Sequence, residues 1–159
     1  MSVLSHLRLF RRASEDLANI ALRFGAGAMF LWFGMDKWTH PQAWFAWLPT
    51  WLPLDPATAV QFMVAVGVVE FFIGLSLLAG RYLRTVSLLG LAALVIADVS
   101  VGISDVAVRD AAVAGSLLAL AIQANARDKK PWRREVVVIA CAVYVISLFI
   151  CGVAFLKAG

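Results

Sequence analysis

Apolar positions along the chain gather into five runs, near residues 18–38, 57–80, 84–104, 107–126 and 136–156. An α-helix needs about 20 such residues to cross about 30 Å of hydrocarbon, so each run reads as a membrane-spanning helix. Only the fifth, VVVIACAVYVISLFICGVAFL, is wholly free of charge. Polar SEDLAN separates the basic N-terminus from the first run, and Arg23 interrupts it, so this run reads as a retained helix rather than a cleaved signal peptide. The links between the second, third and fourth runs are only a few residues long, which forces antiparallel neighbours. The pattern predicts an all-α integral membrane protein. Residues 1–17 form a basic N-terminus, 18–126 a four-helix up-down bundle with an outer Trp-rich loop at 38–56, 127–135 a basic loop, and 136–159 a fifth transmembrane helix with a short tail.

Composition agrees. The chain is 159 residues long, 62% hydrophobic and 15% charged, with mean hydropathy +0.86, far too apolar for an ordinary soluble domain. Cations collect in short cytoplasmic loops of membrane proteins. Arg8, Arg11 and Arg12, then Arg81 and Arg84, then Arg127, Lys129, Lys130, Arg133 and Arg134 fall on one side if the N-terminus is inside. The expected topology is N-in and C-out in the plasma (inner) membrane, multi-pass. The net charge of +4 is then a topology signal with some attraction to anionic lipid, and nucleic acid is not an expected partner.

Metal and haem chemistry finds little support. Cys141 and Cys151 lie ten residues apart on the fifth helix, about 15 Å along its axis, too far for a disulfide. His6 and His40 fall outside the spans on opposite sides, which leaves no intramembrane bis-histidine haem site. No flavin or iron–sulfur motif is present, and no metal site is expected.

The candidate chemistry lies in charges at membrane depth. These are costly, about 2.5–3.5 kcal/mol each on insertion scales, so they normally face the interior and pair. On the first helix Arg23, Gly27, Phe30, Gly34 and Lys37 form one stripe; on the second, Gly67, Glu70, Gly74 and Arg81 form another. Small residues allow close backbone approach, so the two stripes are natural packing partners. Glu70 lies about 16 Å above Arg81 along its helix, near the midplane, and Arg23 enters from the same side. An Arg23–Glu70 pair is the first expectation. Asp98 on the third helix points either into the bundle near Lys37 or into a water-filled vestibule. For Glu70, Arg23, Lys37 and Asp98, a buried structural ion-pair network and a ligand or proton site both remain open. The loop WTHPQAWFAWLPTWLPLDP, beginning at Trp38, carries Trp44, Trp47 and Trp51 on one face of a short helix. It reads either as an aromatic belt or as a lid over a ligand site.

The stretch RFGAGAMFLWFGMDKW at 23–38, followed by GVVEFFIGLSLLAGRYLRT at 67–85, resembles the DoxX family of small membrane proteins. Arg23, Gly34, Lys37, Glu70, Gly74 and Gly80 carry the resemblance, which covers about the first 126 residues. It implies a four-helix bundle, here with an added fifth helix. It also implies association with thiosulfate oxidation that reduces quinone, or with membrane complexes handling thiol and oxidative stress. Other relatives act as assembly factors, so the fold is better defined than the activity.

Three functions are therefore expected as alternatives. The first is a small subunit or accessory of a quinone-linked respiratory or sulfur/thiol redox system. There Glu70 and Arg23 are the catalytic candidates, Lys37, Asp98 and Trp38 the ligand-binding ones, and quinone the cofactor. The second is a non-enzymatic assembly subunit of a larger membrane complex, meeting other membrane subunits through the fifth helix. The third is a proton-coupled small-molecule carrier using the midplane carboxylate.

Overall fold

The computed structural model describes residues 3–48, 52–101 and 105–128. The basic loop at 127–135 beyond Asp128, the predicted fifth helix with Cys141 and Cys151, and Trp51 and Gly102 lie outside the described residues. Among the described residues every regular element is helical: α1 (Val3–Thr39), a short 3-10 helix (Pro41–Trp47), α2 (Pro56–Ala79), α3 (Leu83–Val101) and α4 (Asp105–Arg127).

α1 is longer than the first apolar run because hydropathy marks the span and not the helix. No glycine or proline occurs before Gly25, so the basic segment continues the same helix. α2 has defined ends. Asp55 is its N-cap, accepting from the N–H groups of Ala57 and Thr58, and Pro56 opens the first turn where its missing N–H costs nothing. At the other end Gly80 adopts a left-handed conformation with φ +70°, and the Arg81 N–H reaches back to the Ser76 carbonyl.

α1 and α2 pack through the two glycine stripes. A Cβ on Gly34 would lie 2.7 Å from the Gly67 carbonyl, and one on Gly74 would lie 2.7 Å from the Gly27 carbonyl. Moving back along α1 from Gly34 to Gly27 thus means moving forward along α2 from Gly67 to Gly74, so the helices run antiparallel. α3 packs on α4, and weaker faces join α2 to α3 and α1 to α4. Ala26, Phe30, Ile73, Leu77, Val86, Leu91, Leu94, Leu117 and Leu120 form one buried core. It fills the half of the molecule nearer Arg81. At that same end Arg127 pairs with Asp16 at 3.0 Å, Arg84 pairs with Asp128 at 2.8 Å, and Asn19 donates to Gln123 at 2.9 Å. Three of the basic segments therefore share one end of the protein.

Candidate functional site

Beyond the core, toward the Pro41–Trp47 helix, the four long helices diverge around a cavity of about 430 Å³. Phe30 and Leu94 separate it from the core; Met29, Phe33, Phe62, Val66, Val69 and Ile96 line its apolar walls; Trp44, Trp47 and Leu48 close the end nearest the short helix. Its polar groups are four charged side chains, Lys37, Glu70, Arg109 and Asp110.

Lys37 and Glu70 form an ion pair at 2.6 Å, with side chains only 8% and 16% exposed. The register explains this partnership. Each Cα–Cβ bond tilts toward the N-terminus of its own helix. In an antiparallel pair, Lys37 and Glu70, three residues beyond Gly34 and Gly67 respectively, lean toward each other across the glycine contact. The Lys37 ammonium also lies 3.8 Å from the centroid of the Trp44 ring, a contact worth about 2 kcal/mol when shielded from water. Trp44 is anchored in turn: its indole N–H donates to Asp36 at 2.9 Å, and its ring meets Phe33 edge-on at 5.5 Å. Asp36 also pairs with His40 at 3.0 Å.

The expected Arg23–Glu70 pair is not formed. Arg23 donates from Nε to the Leu77 carbonyl at 2.9 Å and from Nη2 to the Leu78 carbonyl at 2.6 Å, satisfying the end of α2. The depth difference that Arg23 would have to bridge is about 10 Å from Leu77 to Glu70, and the tilt of the two side chains points them apart. Gly80 makes room for the guanidinium, which a Cβ there would strike.

Two other expected site residues lie off the cavity wall. Trp38 packs on Phe71 with ring centroids 5.0 Å apart, beside Gly67, and is 39% exposed. Asp98 is half-buried on α3, within electrostatic reach of Arg109 and Asp110 rather than Lys37. Arg109 and Asp110, in the first turns of α4, line the cavity. Arg109 holds Asp110 at 2.8 Å and stands 4.7 Å from the Phe33 ring centroid, while Asp110 is 6% exposed. Their signal was an acidic residue inside the first turns of an apolar helix. Trp44 and Phe33 had weaker signals, since aromatic residues near a membrane boundary are ordinary.

α1 from Ala13 to Thr39 and α2 are long and apolar enough to cross a membrane, yet only 28% of each span is buried. A soluble core helix of such hydropathy would be mostly covered. Here Trp32, Phe24, Phe72, Val69 and Ile96 stand more than half exposed. Long apolar helices with bare apolar outer faces and a desolvated ion pair between them define a membrane protein. The DoxX family model matches residues 18–102, more than half of the chain, and the chain belongs to the DoxX family. Searches among curated proteins and among solved structures find no match.

Proposed function

We propose that this DoxX protein is a small subunit or accessory of a quinone-linked respiratory or sulfur/thiol redox system, and that the cavity receives the quinone head group. In this reading the described helices form a four-helix membrane bundle in the plasma membrane, N-terminus inside, with the cavity toward the outer face. The observation that carries it is a 430 Å³ apolar cavity ending on the Lys37–Glu70 pair beneath Trp44.

The residues suit the group. A quinone ring is flat and apolar with carbonyl acceptors at its edge, which matches aromatic walls of Phe33 and Trp44 and a single buried ammonium donor. When bound, a quinone supplies acceptance of electrons and protons, the electrons arriving from a partner subunit. Lys37 would hold a carbonyl oxygen, Trp44 would exclude water, and Glu70 would deliver or receive the proton at that oxygen. Arg23 would act as a positioning residue, through the end of α2. In membranes containing the whole complex, Glu70→Gln, which keeps the shape and a hydrogen-bond acceptor for Lys37, is expected to abolish quinone-coupled turnover and Glu70→Leu also to destabilise the bundle; turnover equal to wild type in both removes the carboxylate from the reaction.

A second reading draws support from the same pair. Lys37 and Glu70 already satisfy each other and fix the α1–α2 register, as expected of a non-enzymatic assembly subunit. Native mass spectrometry of protein extracted gently from its own membrane separates the two. Retained quinone favours the first reading, and a stoichiometric protein partner without quinone favours the second.

A further inference from the structure

Toward α1 the cavity wall is buried at Phe30 and Lys37; toward the short helix it is half-buried at Trp44 and Trp47, and at the start of α4 the charged Arg109 is exposed. It is different between α2 and α3. The lining residues Phe62, Val69 and Ile96 are also 41%, 58% and 65% exposed on the outer surface, and Ala65 and Ala97 are exposed lining residues between them. On α2 the positions 62, 65, 66 and 69, and on α3 the positions 93, 96 and 97, each form one helical stripe. Every side chain on these two stripes is apolar, and three are alanine. The seam is thus narrow-walled, uncharged and open. The stretch from Phe62 to Val69 lies about 9–20 Å inside the Pro56 end of the span, at hydrocarbon depth.

From this we infer that the ligand is a membrane-dissolved amphiphile that enters sideways between α2 and α3, head group first, leaving an apolar chain in the seam against Phe62, Val69 and Ile96. The inference rests on the quinone reading above and adds the route: entry from the lipid phase through the α2–α3 seam, with the chain held there, rather than entry from water. Two features of the site favour this occupant. The Lys37–Glu70 pair in its lining is only 8% and 16% exposed, Arg109 standing open at 46%, and the Trp44 indole, bonded to Asp36, lies over the Lys37 ammonium. A chain also has somewhere to go, because the opening faces lipid and an apolar tail leaves no polar group unsatisfied there.

The test uses the full-length protein in lipid nanodiscs. The probes are decylubiquinone and its chainless head group, dimethoxymethylbenzoquinone, with binding read by quenching of tryptophan fluorescence and referred to probe concentration within the bilayer. Wild type is expected to bind the chain-bearing probe at least about tenfold more tightly than the chainless one. Ala65→Phe and the double variant Ala65→Phe/Ala93→Phe should slow or weaken decylubiquinone binding by about tenfold, while Leu89→Phe, on an exposed part of α3 away from the cavity, should not. Ala65→Phe alone, at an exposed position, keeps the test valid if the double variant fails to fold. Equal binding of both probes, unchanged by the seam substitutions, overturns lateral entry and leaves the quinone reading standing. Binding of neither probe by folded wild type overturns both.

Discussion

The Lys37–Glu70 pair shows how little one residue's position in sequence says about its partner. Depth alone puts Arg23 and Glu70 within reach, and the glycine stripes of both helices were legible. The choice of Lys37 follows from side-chain direction across an antiparallel contact, which is a property of two helices together. Removing one member should leave an uncompensated buried charge. Lys37→Met is expected to destabilise the protein by about 3–5 kcal/mol, and Lys37→Met/Glu70→Leu to recover most of that loss. Denaturation by SDS in mixed micelles measures both; an additive double variant would refute the pairing. Arg23 makes a different prediction. Its two charge-assisted bonds to helix-end carbonyls contribute about 1.5–3 kcal/mol each, and a lysine cannot reproduce the guanidinium fork. Arg23→Lys should therefore resemble Arg23→Leu, with faster amide exchange at Gly80 and Arg81, whose N–H groups close the same turn.

Among elements, the α1–α2 contact depends on the absence of a Cβ at chosen positions. Gly67→Ala places a methyl 2.7 Å from the Gly34 carbonyl and 2.9 Å from Lys37 Cβ. Backbone must shift, at a cost of about 1–3 kcal/mol, and the shift should also weaken the Lys37–Glu70 pair. Gly25→Ala meets nothing within 4 Å and should be neutral or stabilise α1 by up to about 1 kcal/mol. Denaturant titration of the two variants side by side checks the contrast. The start of α2 carries a pH dependence of its own. Hydrogen bonds from the Thr58 hydroxyl and N–H, then from the Ala57 N–H, hold the Asp55 carboxyl below its ordinary value of 3.8. A depressed folded-state value means the cap contributes fully above the unfolded value and loses its contribution as pH falls through the folded one. Stability should thus decline below about pH 4 in wild type and less steeply in Asp55→Asn, as read from melting temperature in detergent across that range.

At the scale of the whole molecule, Asp16–Arg127 and Arg84–Asp128 gather basic segments at one end, while the Trp-rich short helix occupies the other. Asymmetric charge of this kind orients a chain in its membrane. With Cys141 and Cys151 replaced, a cysteine at Ala13 should react with an impermeant maleimide only from the cytoplasmic face, and one at Gln42 only from outside. The reverse pattern would invert the proposed orientation. The interior divides along the same axis: leucine-rich packing fills the basic end, and the cavity opens where aromatics and charges replace it.

The sequence by itself determined the class of protein, the positions of the four described apolar helices and the two glycine stripes that bring α1 and α2 together. Each of these depends on periodicity, propensity or small size, properties that a residue carries with it. Tertiary structure alone decided that Glu70 meets Lys37, that Arg23 closes the end of α2, and that Arg109, Asp110 and Trp44 join a cavity from which Trp38 and Asp98 are absent. Those outcomes depend on register and side-chain direction across several helices at once. A shift of one helical turn, about 5.4 Å, would exchange every partner while leaving the hydrophobic pattern unchanged.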